Sequence, residues 1–366
     1  MQLVAAITAT GVIARQPRAP SRLEEITVDD PGPGEVRLRL VASGVCHTDL
    51  YARDGGMGDA FPWLLGHEGC GVIESVGPGV DPARAGDRVI ICWRAPCGRC
   101  RYCLRGQLDL CADVVTAGPR LHGKDSAILS PVLGAGTFTT HTVIAASQAI
   151  PVAADVPAEV AALIGCGVAT GVGAALRTAN VQPGDRVAVI GCGAVGLSAV
   201  QGARLAGAAT IIAIDLNTTK LDWARRMGAT AVVNATSENV VERVRQLAGG
   251  HGVDYCLDVV ARPETIRNAL ECCDNFGTAV LVGVPPLKAD LTLAVSTLWD
   301  ERRGIKTCWY GNCLGSRDFQ LLADWYRNGS LHLDEMVSRR IHLDEVEDSF
   351  AVMARGDELR SVIVFD

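Results

Sequence analysis

The sequence predicts a chain of mixed β and α/β class, in which a β-rich domain encloses an inserted open sheet of parallel strands. A length of 366 residues is enough for about two domains. Short β-rich runs broken by Gly and Pro fill the first 150 residues, whereas strands alternate with helix-length segments from about 155 to 285. The remaining tail is too short for a third domain. We therefore expect a β-rich domain at 1–153, completed by 313–366, and a parallel-sheet domain at 154–312.

Hydrophobic periodicity supports each half of this division. In the first half, residues 35–41 alternate polar and apolar side chains, which is typical of a half-buried strand. In the second half, short continuous apolar runs indicate buried strands, and the segments between them have helical spacing. The predicted strands are 186–190, 210–215, 231–234, 253–258 and 277–283, and the clearest helices are 194–206 and 217–227.

Composition excludes several classes of protein. The chain has 34 Lys and Arg against 41 Asp and Glu, a net charge of −7 that would repel nucleic acid. Residues Met1 to Thr10 lack the order of a signal peptide, and no run of 18 apolar residues occurs. We therefore expect a cytoplasmic protein with no nucleic-acid partner and no membrane association. In that compartment the 14 cysteines favour metal binding over disulfides.

A glycine-rich turn predicts a dinucleotide site. The segment Gly191-Cys-Gly193-Ala194-Val195-Gly196 follows a buried strand and opens a helix, so its glycines permit a tight turn and a close approach of pyrophosphate to the helix N-terminus. Asp215 ends the next predicted strand, where a carboxylate accepts hydrogen bonds from ribose hydroxyls and repels a 2′-phosphate. The expected cofactor is NAD(H) rather than NADP(H).

Four cysteines lie close together on one segment. Cys97, Cys100 and Cys103 are spaced three apart, and Cys111 follows eight positions later. Four thiolates satisfy a closed tetrahedral zinc site, which stabilises a fold without taking part in chemistry. An iron–sulfur cluster is the rival interpretation, since its cysteine runs are similar.

Three further ligand-type residues lie apart in the chain, each beside glycine or a turn. Cys46, His67 and Cys166 together supply two sulfurs and one nitrogen. Three protein ligands leave the fourth zinc position open for a substrate oxygen, as a catalytic site requires. Two thiolates would balance the charge of Zn²⁺ and leave a neutral Lewis acid.

These segments resemble a known family. Gly66-His67-Glu68-x-x-Gly71 with Gly77 and Val80 closely resembles the zinc signature of the medium-chain alcohol dehydrogenases, and the four-cysteine loop and the Gly191 turn resemble their other landmarks. The resemblance covers nearly the whole chain. It implies a GroES-like catalytic domain with an inserted Rossmann domain, two Zn²⁺ per subunit and NAD(H). It assigns Cys46, His67 and Cys166 to the catalytic zinc and the four-cysteine loop to the structural zinc.

Finer resemblances narrow the activity. The segments 46–51 and 66–77 are similar to the class III, glutathione-dependent formaldehyde dehydrogenases, whereas 93–98, 262–265 and 309–314 are more similar to mycothiol-dependent ones. The implied reaction is reversible hydride transfer between NAD and a primary alcohol or thiol-hemiacetal adduct, giving the aldehyde or thioester. Alternatives are a nicotinoprotein with tightly bound NAD(H) and a specialised biosynthetic alcohol dehydrogenase or aldehyde reductase. Non-enzymatic relatives and alkene reductases generally lack the zinc ligands that are present here.

The resemblance also assigns roles to individual residues. Thr48 would hydrogen-bond the substrate oxygen, His47 would lie near the pyrophosphate, and Asp49 would orient the ring of His67. Glu68 would pair with Arg360. The position that ends the proton relay in many relatives is Tyr51 here, a poor base at neutral pH. Cofactor binding is expected of His47, Thr170, Gly191, Gly193, Ala194, Val195, Gly196, Asp215, Lys220, Val284 and Arg360, and pocket lining of Thr48, Met57 and Trp93.

Two features carry weaker expectations. Arg53, Arg120 and Lys124 either meet an acidic substrate tail or are ordinary surface charges. The apolar stretch 291–298, placed after the last predicted sheet strand, is a candidate for joining subunits edge to edge, since relatives are homodimers or homotetramers.

Overall fold

A computed structural model describes residues 6–286, 288–356 and 358–365, except for the side chain of Thr297. Within these residues, one compact unit comprises the chain up to Cys166 together with the chain from Leu314, and a second comprises Gly167–Cys313. The division expected from the sequence, at 153/154 and 312/313, stays a prediction. The prediction for Met1 to Thr10 lies partly outside the described residues.

The first unit is built mainly of β-strands. The strands are β1 (Ile7–Ala14), β2 (Arg22–Val28), β3 (Glu35–Gly44), β4 (Trp63–Leu64), β5 (Glu68–Val76), β6 (Arg88–Ile91), β7 (Leu121–Gly123), β8 (Ser130–Pro131), β9 (His141–Ala145), β10 (Ala149–Pro151), β17 (Val337–Ile341) and β18 (Arg360–Val364). One sheet has the order β7-β2-β1-β4-β8. A second has the order β10-β6-β5-β3-β18-β17, with β9 also paired to β3. Its helices are α1 (His47–Arg53), α2 (Ala158–Leu163), α9 (Gly315–Arg327) and α10 (Val346–Arg355).

The carboxyl-terminal segment completes the second of these sheets. β18 runs antiparallel to β3, with Val362 opposite Gly44, and parallel to β17. Phe350 of α10 is buried in a core with Ala52, Trp63 and Phe138 from the first half of the chain. The carboxyl-terminal segment thus pairs and packs with the first half of the chain, while the domain bounds expected from the sequence stay a prediction.

The second unit is an open sheet of six parallel strands. The strands are β11 (Arg186–Ile190), β12 (Thr210–Asp215), β13 (Ala231–Asn234), β14 (Val253–Asp258), β15 (Cys273–Leu281) and β16 (Gly304–Thr307). Their order in the sheet is β13-β12-β11-β14-β15-β16, which places the first strand in the middle, as in doubly wound dinucleotide-binding folds. The helices are α3 (Ala169–Gly173), α4 (Ala194–Leu205), α5 (Thr218–Arg226), α6 (Val240–Leu247), α7 (Pro263–Cys272) and α8 (Val295–Asp300).

The structure differs from the sequence-based expectation at the end of this sheet. β15 begins at Cys273 rather than at 277, and β16 follows it as a sixth strand. The stretch 291–298 thus precedes the last strand rather than following it. Leu293 and Leu298 pack on the core of the sheet, whereas Val295 is 78% exposed.

One continuous helical run, Ala158–Ala179, contains α2 and α3 and has π-helical turns at Ile164–Val168 and Ala174–Ala179. By length and composition alone it could cross a membrane. However, 83% of its most apolar window is buried inside the protein. Such burial is typical of a core helix.

Candidate active site and metal centres

Cys46, His67 and Cys166 meet in the β-rich unit although they lie far apart in the chain. Their ligand atoms and a carboxylate oxygen of Glu68 all lie within 4.8 Å of one another, and all four residues are buried. The convergence follows from the sheet, because Gly44 at the end of β3 pairs with Glu68 at the start of β5. Cys46 follows β3 by two residues, and Cys166 lies in the π-helical turn that continues α2.

Asp49 holds two of these ligands in place. Its carboxylate accepts the backbone N–H groups of Cys46 at 3.1 Å and of Gly66 at 3.0 Å, and it lies 2.9 Å from Nδ1 of His67. Burial lowers the pKa of His67, but the charge and hydrogen bond of Asp49 outweigh it and raise the pKa to about 10. Because an ionised carboxylate only accepts, Nδ1 carries the proton, and in the neutral ring Nε2 carries the lone pair.

The two thiols are coupled to each other. A hydrogen bond from Cys166, with the nearby charge of His67, holds the pKa of Cys46 well below its usual value. The same contact with Cys46, together with burial, raises the pKa of Cys166, which the indole of Trp93 partly offsets. Trp93, expected to line the pocket, is therefore beside a candidate ligand.

Glu68 and Arg360 form a buried ion pair at the edge of this cluster. Nη2 of Arg360 donates to Oε2 of Glu68. The other oxygen, Oε1, is buried and has no hydrogen-bond partner among the described residues. Arg360 is 6% exposed. Its expected contact with the cofactor stays a prediction.

The remaining predicted residues of this unit lie on or near α1. Oγ1 of Thr48 is 3.7 Å from Sγ of Cys46, and the Thr48 side chain is half-buried. His47 is exposed. Met57 is half-buried and packs on the core cluster that contains Trp63 and Phe350.

The four-cysteine loop also forms one cluster. The sulfurs of Cys97, Cys100, Cys103 and Cys111 all lie within 4.8 Å of one another. Backbone N–H groups donate hydrogen bonds to these sulfurs. For example, the backbone nitrogen of Cys97 lies 3.3 Å from Sγ of Cys111. Hydrogen bonds from the N–H groups of Cys103 and Ala112 lower the pKa of Cys100 to about 6. Burial and the neighbouring thiols raise the pKa of Cys103 to about 12.

Both clusters fit zinc by the chemistry of their donors. All fourteen cysteines are free thiols. Nε2 of His67 is buried with no hydrogen-bond partner in the described part of the chain, which is expected of a nitrogen that ligates a metal. Two thiols with one imidazole match a catalytic zinc site, and four thiols match a closed structural one.

The glycine-rich turn has the geometry that a dinucleotide requires. Gly191 has φ +94°, and Gly193 caps α4, where a Cβ would meet no atom within 4 Å among the described residues. A Cβ on Gly196 would strike the carbonyl oxygen of Gly191, so only glycine fits there. Asp215 accepts the N–H groups of Cys192 at 2.7 Å and Asn217 at 2.9 Å, which fixes its carboxylate at the end of β12.

The other expected cofactor residues are less closely grouped. Lys220, half-buried on α5, lies close enough to Cys192 to act on it electrostatically. Ala194 is buried and Val195 is half-buried, and both lie in the first turn of α4. Thr170 is half-buried on α3, and Val284 is 69% exposed after β15.

The three cations weighed as contacts for an acidic substrate tail are all paired with carboxylates. Arg120 contacts Glu35 at 2.8 Å, Arg53 contacts Glu347 at 2.8 Å, and Lys124 contacts Glu25 at 3.5 Å. The first two contacts are well formed, and the third is a loose surface pair.

Sequence reasoning missed the segment that supports the His67 loop. The N–H of Thr137 donates to the carbonyl of Gly66 at 3.0 Å, and Oγ1 of Thr137 lies 2.7 Å from Oγ of Ser43. Gly66 has φ +93° and packs directly on Phe138. The only local signal was the Gly134-Ala-Gly136-Thr137 run, which is also typical of an ordinary loop.

Comparison with known proteins identifies the family. Residues 32–158 match the model for the alcohol dehydrogenase GroES-like domain, and residues 194–328 match the model for the zinc-binding dehydrogenase. The chain is similar to the S-(hydroxymethyl)glutathione dehydrogenase of Saccharomyces cerevisiae, with 36% identity over 98% of this chain and 97% of the relative. The enzyme of that name from Paracoccus denitrificans is 34% identical over 96% and 98%.

Solved structures show the same similarity. An alcohol dehydrogenase zinc-binding domain protein from Burkholderia ambifaria superposes with TM-score 0.93 at 31% identity, over 99% of this chain and all of the other. Benzyl alcohol dehydrogenase from Acinetobacter calcoaceticus gives 0.91 at 27% identity, over 98% and 100%. The chain thus belongs to the zinc-dependent medium-chain alcohol dehydrogenases. It is an NAD-dependent member with two zinc sites, similar to class III, and the nicotinoprotein and biosynthetic alternatives are not favoured.

Proposed function

We propose that the enzyme oxidises a primary alcohol, or the thiol hemiacetal of formaldehyde, to the aldehyde or thioester with reduction of NAD, and that it also runs the reverse reaction. The observation that carries the proposal is the buried set of Cys46, His67 and Cys166, in which Nε2 of His67 lacks a protein partner among the described residues. The thiol hemiacetal is included because relatives 34–36% identical bear the name S-(hydroxymethyl)glutathione dehydrogenase.

Cys46, His67 and Cys166 would hold the catalytic zinc, and the four-cysteine loop would hold the structural one. Bound zinc supplies a Lewis acid that lowers the pKa of an alcohol, and bound NAD supplies the hydride acceptor. Asp49 keeps the proton of His67 on Nδ1. Thr48, whose Oγ1 lies 3.7 Å from Sγ of Cys46, would hydrogen-bond the substrate hydroxyl and begin the path of its proton outward. We propose that Trp93 and Met57 restrict the inner pocket to primary alcohols or aldehydes.

Nucleotide binding would fall to the second unit. We propose that Gly191, Gly193 and the first turn of α4 hold the pyrophosphate, and that the Asp215 carboxylate accepts the ribose hydroxyls. Thr170, Lys220 and Val284 complete the set proposed in this unit. The cofactor roles of His47 and Arg360 stay predictions from the family resemblance.

The test is the appearance of NADH when the purified holoenzyme meets NAD and a panel of simple alcohols, bulky alcohols, and formaldehyde with or without glutathione or mycothiol. Turnover of free primary alcohols supports a general alcohol dehydrogenase. Turnover of formaldehyde only with a thiol supports the adduct. Reduction of NADP in preference to NAD, or no turnover on any of these substrates, would contradict the proposal.

We further propose a cytoplasmic homodimer or homotetramer. Fourteen free thiols, most of them buried, fit a reducing compartment. The second unit exposes large apolar side chains near its last strand: Phe276 at 67%, Val295 at 78% and Trp299 at 80%. A patch of this kind on a folded protein favours burial against another subunit. Light scattering of the purified enzyme measures the mass directly, and a monomer would contradict this proposal.

A further inference from the structure

We propose that the ion pair between Arg53 and Glu347 is a brace through which α10 positions the helix that carries Thr48 and Asp49. Both residues lie in the β-rich unit. They are separated by 294 positions in the sequence, and Nη1 of Arg53 is 2.8 Å from Oε2 of Glu347. The inference rests on the proposed function, because it assigns the effect to the hydride-transfer site.

The helix in question cannot hold its own position. α1 is only seven residues long, well below the length at which an isolated helix is stable in water. Its first turn is fixed from inside by Asp49, which accepts the N–H of Cys46 and of Gly66. Arg53 occupies its last turn. A fixed last turn therefore determines how far Thr48 and Asp49 can rotate about the axis of the helix.

Both side chains of the Arg53–Glu347 ion pair make further contacts. Glu347 accepts, on its other oxygen, the N–H of Ser21 at 2.8 Å and the hydroxyl of Ser21 at 2.5 Å. The guanidinium of Arg53 also contacts Asp54 at 2.9 Å and lies 5.4 Å from the ring centre of Phe350. Its side chain is 18% exposed. A guanidinium held by two carboxylates and an aromatic face is much better ordered than an ordinary surface ion pair.

The Arg53–Glu347 ion pair is also connected, through the packing of α10, to Met57, which is expected to line the substrate pocket. Phe350 of α10 belongs to the core cluster that includes Ala52 of α1. Met353 of α10 and Met57 both pack on this cluster. Movement of α10 would therefore reach both Thr48 and Met57. We infer that Arg53, weighed from the sequence as a substrate contact or a surface charge, acts instead as a positioning residue.

The test is a double-mutant cycle on the rate of hydride transfer, measured as the first turnover of NADH formation by the zinc-loaded holoenzyme. Arg53→Met and Glu347→Gln are each expected to lower that rate about tenfold, since small misplacements of catalytic groups have large effects on rate. The double variant should lose no more than the larger single variant, because both changes remove one contact. Zinc content and NAD affinity should stay within about twofold of the wild type. Asp49 keeps its own hydrogen bonds with Cys46, Gly66 and His67 in these variants, and no contact joins Arg53 or Glu347 to a candidate metal ligand among the described residues.

Arg327→Met is the control, because it breaks an arginine contact of similar length, 2.9 Å to Asp155, that is more exposed and lies in the same unit. It should leave the rate unchanged. A wild-type rate in Arg53→Met or Glu347→Gln would overturn the brace, as would additive losses in the double variant or an equal loss in Arg327→Met. If Arg53→Met fails to fold, Glu347→Gln tests the brace alone, because it keeps the side-chain shape. Failure of the proposed function is distinguishable, since the wild type itself would then form no NADH.

Discussion

Asp49 is the residue on which the geometry of the catalytic metal site most depends. It is fully buried, yet it accepts two backbone N–H groups and the Nδ1 proton of His67, so one side chain connects the Cys46 turn with the Gly66 loop. Its role was expected from the family resemblance. Its two backbone contacts were not, because they depend on the three-dimensional approach of two loops.

Asp49→Asn should weaken zinc binding at the catalytic site about 10- to 100-fold, because residues that orient a ligand have effects of this size. The four-cysteine site makes no contact with Asp49 among the described atoms and should be unaffected. Metal analysis after dialysis against a weak chelator is expected to find two zinc ions per chain in the wild type and about one in the variant. Two retained ions in the variant would contradict the role of Asp49.

Gly66 is required by both its backbone angle and its surroundings. With φ +93°, any L-residue is strained, and a Cβ would also lie 2.6 Å from Oγ1 of Thr137. Gly79 has φ +82°, and an added Cβ there would meet no described atom within 4 Å. Gly79→Ala therefore measures the backbone strain alone, about 1–2 kcal/mol. Gly66→Ala should lower the free energy of unfolding, measured by chemical denaturation, by more than Gly79→Ala does. Equal costs would show that the packing on Thr137 and Phe138 is unimportant.

At the scale of elements, the four-cysteine loop depends on its metal. It contains two single 3-10 turns, Cys103–Arg105 and Leu108–Leu110, but no strand or α-helix between residues 92 and 120, all of which are described. Zinc therefore supplies the stabilisation that regular structure would otherwise provide. Cys100→Ser should remove this ion and lower the thermal midpoint, while the residual folded fraction keeps its catalytic zinc. Thermal unfolding with metal analysis checks this, and an unchanged midpoint would argue against a structural metal.

Glu35 connects β3 with the segment that leads into β7. Burial raises its pKa, but hydrogen bonds from Gly118, Arg120 and Gly32 outweigh burial and leave the pKa below its ordinary value of 4.5. A carboxyl with a lowered folded-state pKa stabilises the fold above its unfolded-state pKa, and this stabilisation is lost as the pH falls through the folded-state value.

Glu35→Gln should therefore be less stable than the wild type at pH 7, and the difference should narrow as the pH falls below about 4.5. Urea denaturation of both proteins across that range measures the difference. A difference that stays constant with pH would mean that the charge of Glu35 does not contribute.

Elements differ in how far the sequence predicts them. Residues 187–190 and 211–214 are continuous apolar runs, and the strands Arg186–Ile190 and Thr210–Asp215 contain them. β16 was missed because Gly304-Ile-Lys-Thr307 is short and largely exposed, so no apolar run marks it. The π-helical turn at Cys166 was also missed, because single-sequence periodicity does not separate it from α-helix.

At the scale of the whole molecule, the resemblance of the motifs predicted the family and the ligands, because each ligand sits in a short segment with its own signature. The motifs did not predict ion pairs between residues that lie far apart in the chain. Arg53 and Arg120 were assigned to an acidic tail or to solvent, whereas Glu347 and Glu35 engage them from 294 and 85 positions away. The Arg53 pair depends on the packing of the carboxyl-terminal segment on the first half of the chain, and the Arg120 pair on the approach of two strands' flanking segments, neither of which a local pattern encodes.

The relatives that match do so over nearly all of both chains, so they share both units with this chain. The central claim is that the Cys46, His67 and Cys166 set carries zinc-dependent oxidation of an alcohol by NAD. Cys46→Ser, which changes one ligand atom from sulfur to oxygen, tests it most directly when NADH formation and zinc content are measured on the same sample. We predict a loss of turnover of about 1,000-fold or more, since metal polarisation contributes several kcal/mol, with the fold and the four-cysteine zinc retained. Wild-type turnover in Cys46→Ser would contradict the account.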